Sequence, residues 1–279
     1  MGKKIVSYAY FRHRSSPYEQ PKGDAALQFE QFLPLLVRAH HVIWPGWDLM
    51  IYHDDHVQSL PYFEKLLRFQ DAGLLRLVDM FHAVTLCESM LWRMRPIWYD
   101  NAEIVVVRDI DTITSPADRR CVEEFIASGL STHVVHFASA HSGVMGGTTA
   151  VRCLTFRELT GYASWKEFSE DCARRFTPEE WNVQGCDQHF LNRYVLPKVK
   201  DSLLLHELHH QVRDMGVPPE NIRRVITAPL PGDIYEDALR DGDALSPGIG
   251  ICEEPAPPLK FYDSLDIPVI KQIQELEKV

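Results

Sequence analysis

Long apolar runs are missing from this 279-residue sequence. Its apolar stretches, such as residues 32–37 and 104–107, are far shorter than the ~18 residues that a membrane-spanning helix requires. The first residues enter a strand-like segment directly, without the pattern of a secretory signal peptide. We therefore expect no membrane span, no signal peptide and a cytoplasmic location.

An excess of basic residues is also absent. The sequence holds 29 Lys and Arg residues against 39 Asp and Glu residues, which gives a formal net charge of −10. An acidic surface repels the phosphate backbone that dominates nucleic-acid affinity. DNA and RNA are therefore not expected as partners.

Cysteine is scarce and scattered. The six cysteines form no Cys-x-x-Cys pair, and a chain of this length can stabilise itself by burial without disulfides. We expect free thiols in a reducing compartment. In contrast, 13 Phe, 10 Tyr and 6 Trp residues can fill a large core, which excludes a disordered chain.

Strand-like and helix-like segments alternate through the first half of the sequence. The predicted strands are residues 4–10, 47–52, 74–78, 103–107 and 133–137, and the predicted helices are residues 25–43, 61–71, 84–97 and 116–129. This alternation predicts an α/β fold with a Rossmann-like, mostly parallel sheet flanked by helices. Functional loops are expected at the carboxyl ends of the strands. The near-continuous apolar run 103–107 is typical of a central strand buried on both faces.

The pattern is looser after about residue 150. It predicts helices over residues 164–175, 186–199 and 267–278, a short apolar segment at 203–206 and a proline-rich stretch over 229–258. We interpret the chain as one domain with a C-terminal elaboration.

Two carboxylates follow the most apolar predicted strand. In an extended backbone Asp109 and Asp111 project to one side, where they can share a divalent cation. Oxygen ligands suit Mg²⁺ or Mn²⁺, and such an ion would stabilise a diphosphate leaving group. Arg93 and Arg95 precede the strand and can face phosphate oxygens. The alternative is an acidic turn in water.

The sequence resembles three motifs of a known family, in the same order. Residues 92–96 and 105–112 are similar to the approach to the Asp-x-Asp motif of GT-A-fold nucleotide-sugar glycosyltransferases. Residues 141–145 resemble the Asn-Ser/Ala-Gly-Val-Met segment of the glycogenin-like and lipopolysaccharide galactosyltransferase-like members, and residues 186–192 resemble their Asp-Gln-Asp-x-Leu-Asn motif. The resemblance covers roughly residues 4–210.

This resemblance implies a GT-A-type fold and a metal-dependent transfer of sugar from a nucleotide-diphosphate sugar to an acceptor hydroxyl, on a carbohydrate or glycoconjugate. Residues 1–150 would form the nucleotide-sugar-binding half and residues 151–279 the acceptor-side half. The implied site consists of Asp109 and Asp111 as ligands of Mn²⁺ or Mg²⁺, Arg93 at the diphosphate, Asp187 and Gln188 at the transferred sugar, and Ser142 and Gly143 at the donor. The resemblance favours retention of the anomeric configuration of the transferred sugar. In the inverting alternative, Asp187 would act as general base.

Aromatic residues and glycines occur near two of the predicted strand ends. Tyr8 and Phe11 can stack on a nucleobase there, with packing in the core or at its rim as the alternative. Gly143, Gly146 and Gly147 would let the backbone approach a sugar, with an ordinary turn as the alternative.

Residues 206–210 read His-Glu-Leu-His-His, a match to the HExxH pattern of zinc peptidases. In the glycosyltransferase interpretation, His206 would instead be the third ligand of the donor metal, as a C-terminal histidine is in related enzymes. A buried structural histidine is a third possibility. The alternative functions are therefore a zinc metallopeptidase and a non-catalytic module that binds nucleotide sugars.

Overall fold

The computed structural model describes residues 2–11, 30, 32–81, 85–136, 143–177, 179–180, 183, 185–207, 215–224 and 259–278. In this part of the chain, eight strands form one sheet in the order β3-β2-β1-β4-β6-β5-β7-β8. The strands are β1 (Lys3–Tyr10), β2 (Asp48–His53), β3 (Arg76–Asp79), β4 (Ala102–Arg108), β5 (Thr132–His136), β6 (Thr148–Arg152), β7 (Leu203–Glu207) and β8 (Ile222–Arg224). Strand β6 runs antiparallel to β4 and β5, and the other neighbouring pairs are parallel. The predicted α/β class with a mostly parallel sheet is confirmed.

Helices connect these strands. Within the described residues they are α1 (Leu33–Ile43), α2 (Phe63–Asp71), α3 (Leu86–Leu91), α4 (Pro116–Ser128), α5 (Cys153–Thr160), α6 (Trp165–Arg175), α7 (Cys186–Phe190), α8 (Leu196–Val199), α9 (Leu259–Ser264) and α10 (Pro268–Glu277). None of these helices has the length and apolar character needed to cross a membrane.

Strands β1 and β4 lie at the centre of the sheet and separate two hydrophobic cores. Alternate side chains of β4 enter opposite cores, Ile104 and Val106 on one face and Val105 and Val107 on the other, as the two-residue period of a strand requires. All four are fully buried, so the predicted burial of this strand on both faces is confirmed.

Two predicted helices are interrupted. The segment predicted as one helix over residues 84–97 is α3 followed by a 3₁₀ helix, Trp92–Trp98, in which Pro96 supplies no amide hydrogen for an α-helical bond. The segment 186–199 contains a π-helical turn, Leu191–Val195, between α7 and α8. Both irregular turns are next to residues that the sequence analysis assigned to the site.

Strands β6 and β8 and helices α5 and α9 were not predicted. The sequence of β6, Thr-Thr-Ala-Val-Arg, carries little hydrophobic pattern, and it is buried because it pairs with β4 on one side and β5 on the other. The five described cysteines are buried and free, as expected. The proline-rich stretch 229–258 lies outside the described residues.

The chain order places a switch point between β1 and β4. Strands β2 and β3 extend the sheet from one side of β1, whereas β4 continues it on the other side. In open α/β sheets, ligands bind in the crevice at the carboxyl ends of the strands at such a point. Phe11 and Asp109 lie just beyond the carboxyl ends of these two strands.

Candidate functional site

Arg93 joins two acidic residues that are far apart in the sequence. Its guanidinium group is buried and donates from Nη1 to Asp109 Oδ1 and from Nη2 to Asp187 Oδ2, the latter at 2.9 Å. The 3₁₀ turn after α3 carries Arg93, the loop after β4 carries Asp109, and the first turn of α7 carries Asp187. Three segments of the sequence therefore meet at the carboxyl end of β4.

The Asp109–Thr112 segment is a turn rather than an extended strand. The amide of Thr112 donates to the carbonyl of Asp109 at 3.0 Å, which closes the turn. Asp111 is exposed, yet its pKa is raised because the surrounding protein displaces water and because Asp109 repels its negative charge. The two carboxylates thus act on each other, although by a different backbone geometry from the predicted one.

Asp187 is the most buried carboxylate of this cluster, with 1% of its surface exposed. Burial raises its pKa, and the charge of Arg93 opposes that shift. Its second oxygen, Oδ1, is buried without a hydrogen-bond partner in the described part of the chain. A buried acceptor without a partner is costly, and it is the kind of atom that a bound ligand satisfies.

Residues 143–147, here called the glycine loop, pack directly against the cluster. A Cβ atom on Gly146 would lie 2.5 Å from Asp187 Oδ2 and 2.6 Å from Arg93 Nη2. A Cβ atom on Gly147 would overlap Asp109 Oδ2. Because only glycine allows so close an approach, the loop covers the acidic cluster with bare backbone.

Asn192 holds the other end of the glycine loop. Its Oδ1 accepts from the amide of Val144 at 2.7 Å, and its Nδ2 donates to the carbonyls of Val144 at 3.1 Å and Gln188 at 2.7 Å. Asn192 belongs to the π-helical turn, a feature frequent at functional sites. Through Asn192, the motif at residues 186–192 thus holds Val144 of the motif at residues 141–145 in place.

His136, the last residue of β5, was not predicted as a site residue. Its Nε2 lies 2.7 Å from the carbonyl oxygen of Gly143, which has a φ of +73°. Burial lowers the pKa of His136, which favours a neutral ring that donates this hydrogen bond. Its position at the same sheet edge as Asp109 was the available signal in the sequence.

The predicted donor residues have different environments. Phe11 is half-buried at the end of β1, packs against the core that contains Val105 and Val107, and lies edge-on to Trp92 with ring centroids 6.1 Å apart. Tyr8 is completely buried in the core and its pKa is raised by burial, so its placement favours the packing alternative over nucleobase stacking. Gln188 is half-buried beside Asp187. Ser142 lies outside the described residues.

The structure does not bring His206 to the acidic pair. On β7, its Nε2 lies 3.1 Å from Glu124 Oε2 and its Nδ1 lies 2.9 Å from His133 Nε2. The carboxylate accepts from Nε2, so Nδ1 in turn accepts the proton of His133 Nε2. Both ring nitrogens of His206 therefore have partners, which favours the structural alternative over the role of metal ligand.

The first two residues of the zinc-peptidase pattern lack the helical backbone that the pattern requires. Its two histidines must lie one helical turn apart, whereas His206 and Glu207 end a β-strand. The remaining residues of the pattern, 208–210, lie outside the described part. Among the described residues, no group of three or more His, Cys, Asp or Glu side chains is arranged to hold a metal ion by itself.

No family model matches the chain, and no curated protein matches its sequence. Solved structures with some likeness include a putative nucleotide-diphospho-sugar transferase from Desulfovibrio desulfuricans, at 12% identity and a TM-score of 0.42, covering 100% of this chain and 98% of the other. The mannosyltransferase PcManGT from Pyrobaculum calidifontis, solved with GDP-Man and Mn²⁺, has 12% identity and a TM-score of 0.42, covering 99% and 74%. TarS from S. aureus has 11% identity and a TM-score of 0.45, covering 74% of this chain and 58% of that chain. This chain thus spans less than two thirds of the TarS structure, and all three TM-scores are below 0.5.

Proposed function

We propose that this chain is a metal-dependent glycosyltransferase that moves a sugar from a nucleotide-diphosphate sugar to a hydroxyl of a carbohydrate or glycoconjugate acceptor. The observation that carries this proposal is the contact of Arg93 with both Asp109 and Asp187 beside the switch point of the sheet. These residues come from two segments that resemble glycosyltransferase motifs. The glycine loop, which shares residues 143–145 with the remaining motif, lies against them through Gly146 and Gly147.

The charges of the cluster fit a divalent cation. Asp109, Asp111 and Asp187 carry three negative charges when ionised, and Arg93 supplies one positive charge, so two negative charges remain. Carboxylate oxygens are the ligands that Mn²⁺ and Mg²⁺ prefer. We assign Asp109 and Asp111 as the ligands. When bound, the ion would neutralise the diphosphate of the leaving nucleotide.

The side chains around the cluster divide the remaining tasks. Arg93 offers a guanidinium group that can bind phosphate oxygens in a fork geometry when a donor enters. Asp187 Oδ1, buried and unsatisfied in the described structure, can accept a hydrogen bond from a sugar hydroxyl, and Gln188 lies beside it. Phe11 offers an aromatic face for the nucleobase.

The stereochemical course belongs to the same proposal. We favour retention, with Asp187 and Gln188 beside the reacting carbon. In the inverting alternative, Asp187 takes the proton of the acceptor hydroxyl as general base. NMR detection of the anomer first formed in the product distinguishes the two. The buried free thiols are in keeping with the reducing, cytoplasmic setting that we propose.

Differential scanning fluorimetry with UDP-, GDP- and ADP-sugars, each with and without Mn²⁺, tests the proposal directly. A ligand that binds only the native state raises the melting temperature by mass action. We expect one nucleotide class to stabilise the protein in the presence of Mn²⁺ and to be hydrolysed slowly. Asp111→Asn should abolish both effects, whereas Asp201→Asn, an exposed carboxylate on a different element, should leave both intact.

Full donor hydrolysis by Asp111→Asn would remove the metal assignment. Donor binding without hydrolysis or transfer to a broad panel of acceptors would favour the non-catalytic binding module. Loss of activity with zinc chelators, together with indifference to sugar nucleotides, would favour the peptidase.

A further inference from the structure

A cavity lies at the opposite edge of the sheet from the Arg93 cluster. Its volume is about 260 Å³, and the amino ends of β1 and β2 form part of its wall, together with the segment that leads into β3. Because β1, β2 and β4 are parallel, their amino ends share one edge and the proposed donor site occupies the other. This amino-edge cavity is therefore separate from the donor site.

The charged residues that line the amino-edge cavity have a net charge of plus one. Lys3 Nζ lies 2.6 Å from Asp48 Oδ2, so these two charges offset each other. The guanidinium of Arg76 lies over the ring of Tyr99, 5.9 Å from its centroid, and forms no ion pair within the described residues. His41 is held neutral, because burial lowers its pKa. Among the described residues that line the cavity, the exposed Arg76 is therefore the cation without a carboxylate partner, which favours a ligand with a single negative charge.

The uncharged walls indicate the shape of that ligand. Trp47, which is 7% exposed, and Tyr99 are both lining residues of the cavity. Trp47 packs on Trp44 with ring centroids 4.9 Å apart, and the hydroxyl of Tyr99 lies 2.6 Å from that of Tyr52, so both rings are fixed before a ligand arrives. The volume is below the ~300–1,000 Å³ of pockets for drug-sized ligands. A single planar ring suits these walls and this size.

We propose that the amino-edge cavity binds a monocarboxylate that carries one planar ring, with its carboxylate beside Arg76 and Lys3 and its ring against Trp47 and Tyr99. The guanidinium fork of Arg76 can bind a carboxylate with two parallel hydrogen bonds. Fixed aromatic walls reduce the entropic cost of ordering a small ligand. This site is independent of the proposed glycosyltransferase activity.

Isothermal titration calorimetry at low ionic strength, with benzoate as the probe, tests this assignment. Benzamide is the uncharged control of the same shape, and cyclohexanecarboxylate is the non-planar control of the same charge. We expect benzoate to bind at least roughly tenfold more tightly than either control, because only benzoate satisfies both the cation and the rings. Added salt should weaken benzoate binding and leave benzamide binding unchanged.

Three variants of the full chain locate the site. Arg76→Gln should abolish the preference for benzoate over benzamide, whereas Arg174→Gln, an exposed arginine on α6, should preserve it. Asp111→Asn should also preserve it, so failure of the donor site and failure of this site are distinguishable. Equal affinity for benzoate and benzamide, or unchanged benzoate binding in Arg76→Gln, would overturn the proposal, and equal affinity for cyclohexanecarboxylate would overturn its planar-ring part.

Discussion

Arg93 donates a hydrogen bond from Nη2 to Asp187 Oδ2 at 2.9 Å, and both side chains are at least 95% buried. The same guanidinium also reaches Asp109, so one buried cation holds together the loop after β4 and the first turn of α7. Breaking a buried ion pair leaves an uncompensated charge in the interior, which is far more costly than losing an exposed pair. The first prediction follows from this difference.

Arg93→Leu should lower the free energy of unfolding by about 3–5 kcal/mol, because Asp187 would lose its counter-charge. Arg93→Lys should recover only part of that loss, since an ammonium group cannot reproduce the two-sided geometry of the guanidinium. Urea denaturation at neutral pH measures both effects. A loss below about 1 kcal/mol in Arg93→Leu, the range of exposed pairs, would show that the contact does not stabilise the fold.

The ion pair between Arg108 and Asp118 allows a matched comparison on helix α4. Both residues are fully buried, with Arg108 Nη2 2.6 Å from Asp118 Oδ1. On the same helix, Arg119 and Glu123 form a more exposed pair at 2.6 Å. Asp118→Asn should cost about 3–5 kcal/mol of stability, and Glu123→Gln should cost less than about 1 kcal/mol. Equal effects in denaturation experiments would contradict the burial argument.

Asn192 is predicted to act as a positioning residue for the glycine loop. Asn192→Leu removes all three of its hydrogen bonds and leaves the buried groups of the loop unpaired, at a cost of about 1–3 kcal/mol. Asn192→Asp keeps the acceptor for the amide of Val144 but places an oxygen against two carbonyls, so it should not restore the loop. Hydrogen exchange at the Val144 amide should accelerate in both variants, and unchanged exchange would contradict this role.

Gly147→Ala tests the close approach of the loop to Asp109. The added methyl group would overlap Asp109 Oδ2 and displace this carboxylate. We therefore expect the affinity for the donor in the presence of Mn²⁺ to fall at least about tenfold. Gly46→Ala is the control, because no atom lies within 4 Å of its added Cβ, although its φ of +79° brings local strain. Unchanged donor affinity in Gly147→Ala would show that the overlap is relieved without moving Asp109.

His40 predicts a loss of stability in acid. It is fully buried with Nε2 3.0 Å from the carbonyl of Trp47, and burial lowers its pKa from 6.5 to about 3. Between these two values the unfolded chain binds the proton and the folded chain does not, so stability falls as the pH falls through this window. The slope for this group is about 1.4 kcal/mol per pH unit.

His40→Gln should flatten that part of the profile of unfolding free energy against pH. The other buried histidines, such as His41 and His133, contribute slopes of the same sign and remain in the variant. An unchanged slope would mean that His40 is protonated in the folded state as readily as in the unfolded state.

Local sequence patterns predicted much of the sheet and the position of its acidic pair, although not the turn that holds this pair. The apolar run before Asp109 required a strand buried on both faces, and the alternation of strands and helices required parallel strands with their carboxyl ends together. These features depend on period and composition, which are readable along the chain. The same patterns missed β6, because its burial comes from its neighbours rather than from its own residues.

Contacts between distant segments were decided only by the tertiary structure. The sequence offered Arg93, Asp109 and Asp187 as separate candidates, and only folding placed one guanidinium between the two carboxylates. It likewise left Tyr8 and His206 each with a site role and a structural role as alternatives, and burial and hydrogen-bond partners favour the structural role for both. Period and composition set which surfaces a segment must bury, but the partner that each polar side chain meets depends on how those surfaces pack, which no local pattern encodes.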